Sequence, residues 1–332
     1  MKNLLLISLL GILSCTSSHN SNELILEEPV SIEATEYEKE AIFNSPISMI
    51  KVGNKLYLFQ SKGEAAALVM DTRTVEIIDS WGKRGNGPEE FMYAYSWGNT
   101  QTHFYLSDIN QFKIREYICK NDSLIFENVL NLKKRITCTQ GTILDNGNIV
   151  MCPVFGQEKP LLLMNQQEKI LCSFGDLPDK NHASTDLRTY GGCLDAYKNK
   201  FVYAMNDLGY IACYEQKNDT IEKIWDYYLE KPVYKGEHLN KDLLKRGFVD
   251  LKMTSKYIYC VYSGKKLNWN VPGQDSTPET ILIFNHKGEL VRNFHTNKKI
   301  GKIAVAEEEG LIYAVGYEPD ICILRYNIGK YL

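Results

Sequence analysis

The stretch Gly82-Lys83-Arg84-Gly85-Asn86-Gly87-Pro88-Glu89-Glu90-Phe91 follows an apolar, strand-like run that ends at Trp81. Glycine admits positive φ and close backbone approach, whereas proline fixes φ and removes a donor. Three glycines and a proline so close together make a tight, shaped turn between two extended elements. The stretch reads as the link from one propeller blade to the next, and the chain on either side repeats as that reading requires.

Outward from it, a short β-rich run recurs, usually with an aromatic residue at its centre. The runs are Leu56-Tyr57-Leu58-Phe59, Phe104-Tyr105-Leu106, Asn148-Ile149-Val150-Met151, Phe201-Val202-Tyr203-Ala204, Tyr257-Ile258-Tyr259-Cys260 and Leu311-Ile312-Tyr313-Ala314. From Tyr57 through Tyr105, Val150, Tyr203 and Tyr259 to Tyr313, the steps are 48, 45, 53, 56 and 54 residues. A period of this size built from strands marks a propeller. In the first unit, residues 47–52, 56–59, 66–70 and 75–78 supply four strands, with Asp71-Thr72-Arg73-Thr74 turning between the last two. Later units repeat that outer pair, as in Ile281-Leu282-Ile283-Phe284 and Leu290-Val291-Arg292 around the turn Asn285-His286-Lys287-Gly288. The fold expected is all-β, a six-bladed β-propeller of four-stranded antiparallel blades. The sixth unit has only three strands before Leu332. Residues 23–42, with Leu24-Ile25-Leu26 and Val30-Ser31-Ile32, are expected to supply the missing outer strand and close the ring.

The chain has 332 residues, 44% of them hydrophobic, and a formal charge of -3. That balance excludes the basic footprint of a nucleic-acid binder. Residues 1–14 read as a signal peptide: Lys2 opens it, and the apolar run from Leu4 to Leu13 is too short to span a bilayer. It closes on Ile12-Leu13-Ser14-Cys15, the aliphatic–variable–small–cysteine pattern of a bacterial lipobox. Cys15 is the lipidation candidate, residues 15–23 are a polar tether, and residues 24–332 are the propeller. Thr rather than Asp at position 16 implies the outer membrane, and the absence of an acidic cluster just after Cys15 points to its periplasmic face. The other eight cysteines lie mostly inside apolar runs such as Ile211-Ala212-Cys213-Tyr214, where a thiol acts as a small buried hydrophobe.

The lipobox, the six-unit period and the Gly-x-x-Gly-x-Gly-Pro-x-Glu-Phe stretch resemble the TolB-like six-bladed propeller lipoproteins of Bacteroidota. The glycine-rich stretch is also similar to the blade connector of NHL-type propellers. The resemblance covers about residues 24–332 and implies the fold; it brings no catalytic residues.

Candidate sites follow from propeller geometry. Connectors between blades share a face with the hairpins joining second and third strands, and Arg84, Arg135, Arg188 and Arg246 fall in or beside successive connectors. Guanidinium groups at a channel mouth would suit a carboxylate, phosphate or sulfate. The alternative is that each pairs locally, with Glu89, Glu90 or Asp186, and holds blades together. The connector 175–192 adds Tyr190 together with His182 and Asp186, and the long hairpin 263–275 adds Trp269 as a contact anchor. A short helix is expected near residues 238–246. No nucleophile elbow, phosphate loop or His-Glu-x-x-His is present, so no catalytic residue is assigned and no cofactor is implied. Ca²⁺ or Zn²⁺ in the central channel would need convergent carboxylates such as Asp108, Asp195, Asp207, Asp250 and Asp320. Three functions remain open: a lipid-anchored envelope module binding a protein, peptide or glycan without catalysis, a metal-assisted hydrolase or lyase working in the channel, or a structural subunit of an envelope complex whose propeller is only a spacer.

Overall fold

A strand enclosed between two neighbouring sheets must be apolar on both faces, while a strand at the rim can alternate. That gradient explains the marker runs. Lys55–Gln60, Lys200–Met205, Tyr257–Tyr262 and Leu311–Gly316 are buried at every position after the first, apart from partly covered flanks, whereas the rim strand Ile77–Lys83 is mostly exposed. The computed structural model describes residues 22–37, 42–87, 89–100, 103–154, 159–176, 190–235, 238–267 and 275–332.

Six antiparallel sheets, each running from an inner to an outer strand, form the ring. Blade I is Pro46–Val52, Lys55–Gln60, Ala65–Asp71 and Ile77–Lys83. Blade II is Ala94–Asn99, His103–Asp108, Lys113–Lys120 and Ser123–Asn131. Blade III is Cys138–Ile143, Ile149–Pro153, Leu161–Met164 and Ile170–Phe174. Blade IV is Gly192–Tyr197, Lys200–Met205, Tyr210–Lys217 and Thr220–Tyr228. Blade V is Phe248–Met253, Tyr257–Tyr262, Thr280–Asn285 and Leu290–Thr296. Blade VI is Ile300–Ala306, Leu311–Gly316 and Cys322–Asn327, completed by Ala34–Tyr37.

The ring is thus closed by the N-terminal segment, through Ala34–Tyr37 rather than the apolar triplets at 24–26 and 30–32. Those triplets do a different job. Val30–Ile32 lies parallel to Leu290–Thr296 as a fifth strand on blade V, and Ile32 is buried in the core between blades V and VI. Asn22–Glu23 lies parallel to Thr220–Tyr228 on blade IV, with Leu24 and Leu26 packed against the neighbouring core. An outermost strand needs little apolar content, so Ala-Thr-Glu-Tyr was a weaker signal than the triplets beside it.

Three of the recurrent tyrosines join blade to blade. The Tyr57 hydroxyl accepts from the Leu124 amide of blade II at 3.4 Å, and Tyr259 donates to Glu307 beyond blade VI's inner strand at 3.4 Å. Tyr313 donates to the Thr72 carbonyl of blade I at 2.7 Å. Each extends an apolar ring across a blade interface and satisfies its polar tip there.

Two local expectations are corrected. Blade I's outer strand begins at Ile77, because Asp71 Oδ1 accepts from the Arg73 and Thr74 amides at 2.8 and 3.1 Å, and the turn continues through Val75 at φ 60°. The region 238–246 forms a 3₁₀ turn, Lys241–Leu243, after a two-residue hairpin pairing Tyr234–Lys235 with His238–Leu239. The eight cysteines after Cys15 are free thiols, buried except for exposed Cys119 and partly covered Cys172.

Deleting residues 22–33 should cost less stability than deleting residues 22–37, which also removes the four-residue pairing with Ile323–Tyr326. At about 1 kcal/mol per backbone hydrogen bond, the added loss is several kcal/mol. Urea melts of the two deletions check this order; equal midpoints would remove Ala34–Tyr37 from the closing role.

Candidate functional site

The glycine-rich connector is held against blade II by buried polar groups. Asp108, fully buried, accepts through Oδ2 from the Met92 and Tyr93 amides at 2.7 and 3.2 Å. Gln111 donates to the Gly85 and Glu90 carbonyls at 2.9 and 3.3 Å. Arg115, also fully buried, donates to the Glu90 carbonyl at 2.7 Å and to Gln111 Oε1 at 3.0 Å, with its guanidinium 4.3 Å from the centre of the Phe91 ring. Charged groups reach such depth only when hydrogen bonds replace their water.

This framework seats Phe91 under blade I. Gly82 has φ 68°, and a Cβ there would lie 3.0 Å from Ala66 and 3.5 Å from the Phe91 ring, so glycine permits the close approach. The result is a groove of about 880 Å³ between the outer parts of blades I and II. Its aromatic lining is Trp81, Phe91, Tyr117 and Phe126, with ring-centre separations of 5.5 Å for Trp81–Phe91, 5.3 Å for Trp81–Tyr117 and 5.8 Å for Tyr117–Phe126. Glu64, Glu89, Glu90 and Lys83 add charge to the lining, and Phe126 is 44% exposed. Sequence reading placed the connector but missed the groove. Trp81, Tyr117 and Phe126 are alternating residues on separate strands, and only the ring brings them together.

The central channel uses its charges to join blades. Asp195 Oδ2 accepts from the Met253 amide at 2.8 Å, joining blades IV and V, and Asp250 Oδ2 accepts from the Ile303 amide at 2.8 Å, joining V and VI. Lys252 lies 3.3 Å from Asp250 Oδ1, and Lys302 donates to the Val249 carbonyl at 2.7 Å and the Tyr95 hydroxyl at 3.3 Å. Of the five aspartates considered as channel ligands, Asp108, Asp195 and Asp250 therefore accept from main-chain amides. Asp207 lies by Arg246, and Asp320 is exposed. Burial pushes the Asp195 carboxyl up to about 6, against the pull of Lys252. Among the described residues, neither its Oδ1 nor Thr142 Oγ1 has a hydrogen-bond partner though both are buried, and both lie within 3 Å of where a Cβ on Gly98 would stand.

The residues proposed from sequence are dispersed. Arg84 donates to the Met92 carbonyl at 2.8 Å and to the Gln60 carbonyl, which ties the connector to blade I. Arg135 is exposed, 5.6 Å from the Phe112 ring centre. Arg246 is partly buried and interacts electrostatically with Asp207. Tyr190 is 8% exposed within a core cluster and accepts, through its carbonyl, from the Tyr203 hydroxyl. Cys15, His182, Asp186, Arg188 and Trp269 lie outside the described residues.

Comparison with known proteins places the chain. A family model described as TolB-like 6-blade propeller-like matches residues 27–308. No curated protein matches the chain. A Bacteroides fragilis NCTC 9343 protein described as exported superimposes with a TM-score of 0.57 at 11% identity, covering 92% of this chain and 98% of that one. U3-55K superimposes with a TM-score of 0.51 at 6% identity, covering 89% of this chain and 98% of that one. At such identities the likeness is one of fold.

The raised Asp195 carboxyl sets a pH dependence. From 3.8 unfolded to about 6 folded, the native state holds more protons, so stability falls as pH rises through that window. Asp195→Asn keeps an acceptor for Met253 and abolishes the slope. Above pH 6 the variant should exceed the wild type by on the order of 2 kcal/mol, with a smaller difference near pH 4, in urea melts at both pH values.

Proposed function

The chain belongs to the TolB-like six-blade propeller family, and we propose that it is an exported, lipid-anchored binding module without catalysis. Its receptor surface is the aromatic groove between blades I and II. The occupant is an extended peptide segment of an envelope partner, carrying apolar side chains and at least one basic one.

The groove carries this reading. Trp81 and the exposed Phe126 offer apolar contact area, backed by the buried Phe91 and Tyr117, while Glu64 and Glu89 supply the negative charge that a lysine or arginine would meet. Ser80 to Lys83 of blade I's outer strand form one wall. On blades IV and V the equivalent outer strands already take a parallel strand from the N-terminal segment, so the fold accommodates strand addition at this edge. The channel supports binding over a hydrolase or lyase, since Asp195 and Asp250 are engaged with main-chain amides of neighbouring blades.

The test is binding of an arrayed set of extended heptapeptides. Peptides alternating Phe or Leu with Lys should be retained, and Phe126→Ala should weaken them about tenfold or more. Glu89→Gln should weaken the basic peptides by a few-fold. Uniform retention across the array, equal binding by Phe126→Ala, or retention of glycans alone would overturn the reading. Phe126 is exposed enough that its loss leaves the fold intact.

Anchoring is supported by the apolar run Leu4 to Leu13 and by Ile12-Leu13-Ser14-Cys15. Among the described residues, no helix is long and apolar enough to cross a membrane. The proposed place is the outer membrane, facing the periplasm. Cys15→Ala should shift the protein from the membrane fraction to the soluble periplasmic fraction; unchanged membrane association would refute the anchor.

A further inference from the structure

The opposite face of blade II, towards blade III, carries three side chains whose convergence the peptide groove does not explain. His103 begins the second strand, Glu116 lies in the third and Glu127 in the outer one. Their ligand atoms all lie within 4.8 Å of one another. We propose that His103, Glu116 and Glu127 form a divalent-cation site suited to Zn²⁺, with an open coordination position facing the cavity between blades II and III.

The ladder is built for this convergence. Tyr105 pairs with Glu116, and Ile118 with His103, so these residues share a face. On the outer strand Asn128 pairs with Glu116 but Phe126 pairs with Tyr117, which leaves Glu127 as the extra residue of a β-bulge. A bulge re-aims a side chain, and here it turns Glu127 to within 2.9 Å of His103 Nε2. In regular alternation Glu127 and Asn128 would point to opposite faces.

The chemistry selects the ion. One imidazole nitrogen and two carboxylate oxygens match zinc's preference for nitrogen and oxygen donors at about 2.0–2.2 Å. Tetrahedral ligands at that range stand about 3.4 Å apart, so Glu127 has to move about half an ångström from His103 and the other ligand atoms have to close by at most about 1.4 Å. Two carboxylates so close to each other repel unless positive charge lies between them. A protonated His103 paired with Glu127 would be an exposed ion pair of small value, with side chains 31% and 46% exposed, and would not account for Glu116.

The surroundings fit a metal centre. The Tyr105 hydroxyl donates to Glu116 Oε1 at 2.9 Å, which fixes that carboxylate and leaves Oε2 for the ion. A cavity of about 400 Å³ adjoins His103 and Glu116, with Asp145, Asn146 and Gln166 of blade III on its far side. Three protein ligands and an open position are what zinc needs to hold a water or a substrate oxygen.

The test is calorimetric titration of the full-length, chelator-stripped chain with Zn²⁺. One equivalent should bind, and His103→Ala and Glu127→Gln should each weaken it at least a hundredfold. Tyr105→Phe, which keeps the ring, should weaken it about tenfold. The X-ray absorption edge of the bound zinc should show nitrogen and oxygen neighbours alone. Absence of saturable binding, unchanged affinity in His103→Ala, or a sulfur shell placing the ion on a thiol such as Cys119 would overturn the proposal. His103 and Glu127 are exposed enough for both variants to fold, which thermal melts verify.

Discussion

A closed ring of sheets depends on the joint where its two chain ends meet. Here that joint is the antiparallel pairing of Ala34–Tyr37 with Cys322–Asn327. Without it blade VI would present the edge of Cys322–Asn327 to any other chain, and the apolar contacts between blades VI and I would have one wall unsupported. The same segment then runs along the rims of blades V and IV, so one stretch of chain covers three edges. Three of the other joints add a polar bond to their apolar packing. Asp195, Asp250 and Ser48 each accept from an inner-strand amide of the next blade, at 2.8, 2.8 and 3.3 Å. A carboxylate between two strands sets their register with a directional bond that hydrophobic contact cannot supply.

Arg115 shows how this economy shapes the surface. It lies on blade II, yet its hydrogen bond ends on the connector leaving blade I, and its guanidinium covers Phe91. Gly85 and Glu90 of the connector are therefore pinned, and the groove beside them is already formed. A preformed aromatic surface loses little conformational freedom when a ligand arrives.

The repeat was legible because a strand between two blades has to be apolar on both sides, which wrote Tyr57, Tyr105, Tyr203, Tyr259 and Tyr313 into the sequence at blade spacing. The glycine-rich link was legible because Gly82 needs a conformation that other residues avoid. The closing strand was harder to place, since Ala34–Tyr37 is half-exposed and its apolar neighbours advertised themselves more strongly. The candidate sites were not legible. Arginine in a connector is equally a ligand for an anion or for a carbonyl, and Arg84 took carbonyls. His103, Glu116 and Glu127 are ordinary rim residues until a one-residue bulge places them together, and a bulge leaves no mark in composition.

The path of the N-terminal segment has a geometric consequence. Traced backwards from Tyr37, it leaves blade VI, passes blade V and reaches blade IV at Asn22. In a ring of six, blade IV lies diametrically across from blade I. Asn22 therefore stands at one pole of the disc, while the aromatic groove opens near the other. On the lipid anchoring proposed above, the chain is held at that pole and the groove faces away from the membrane.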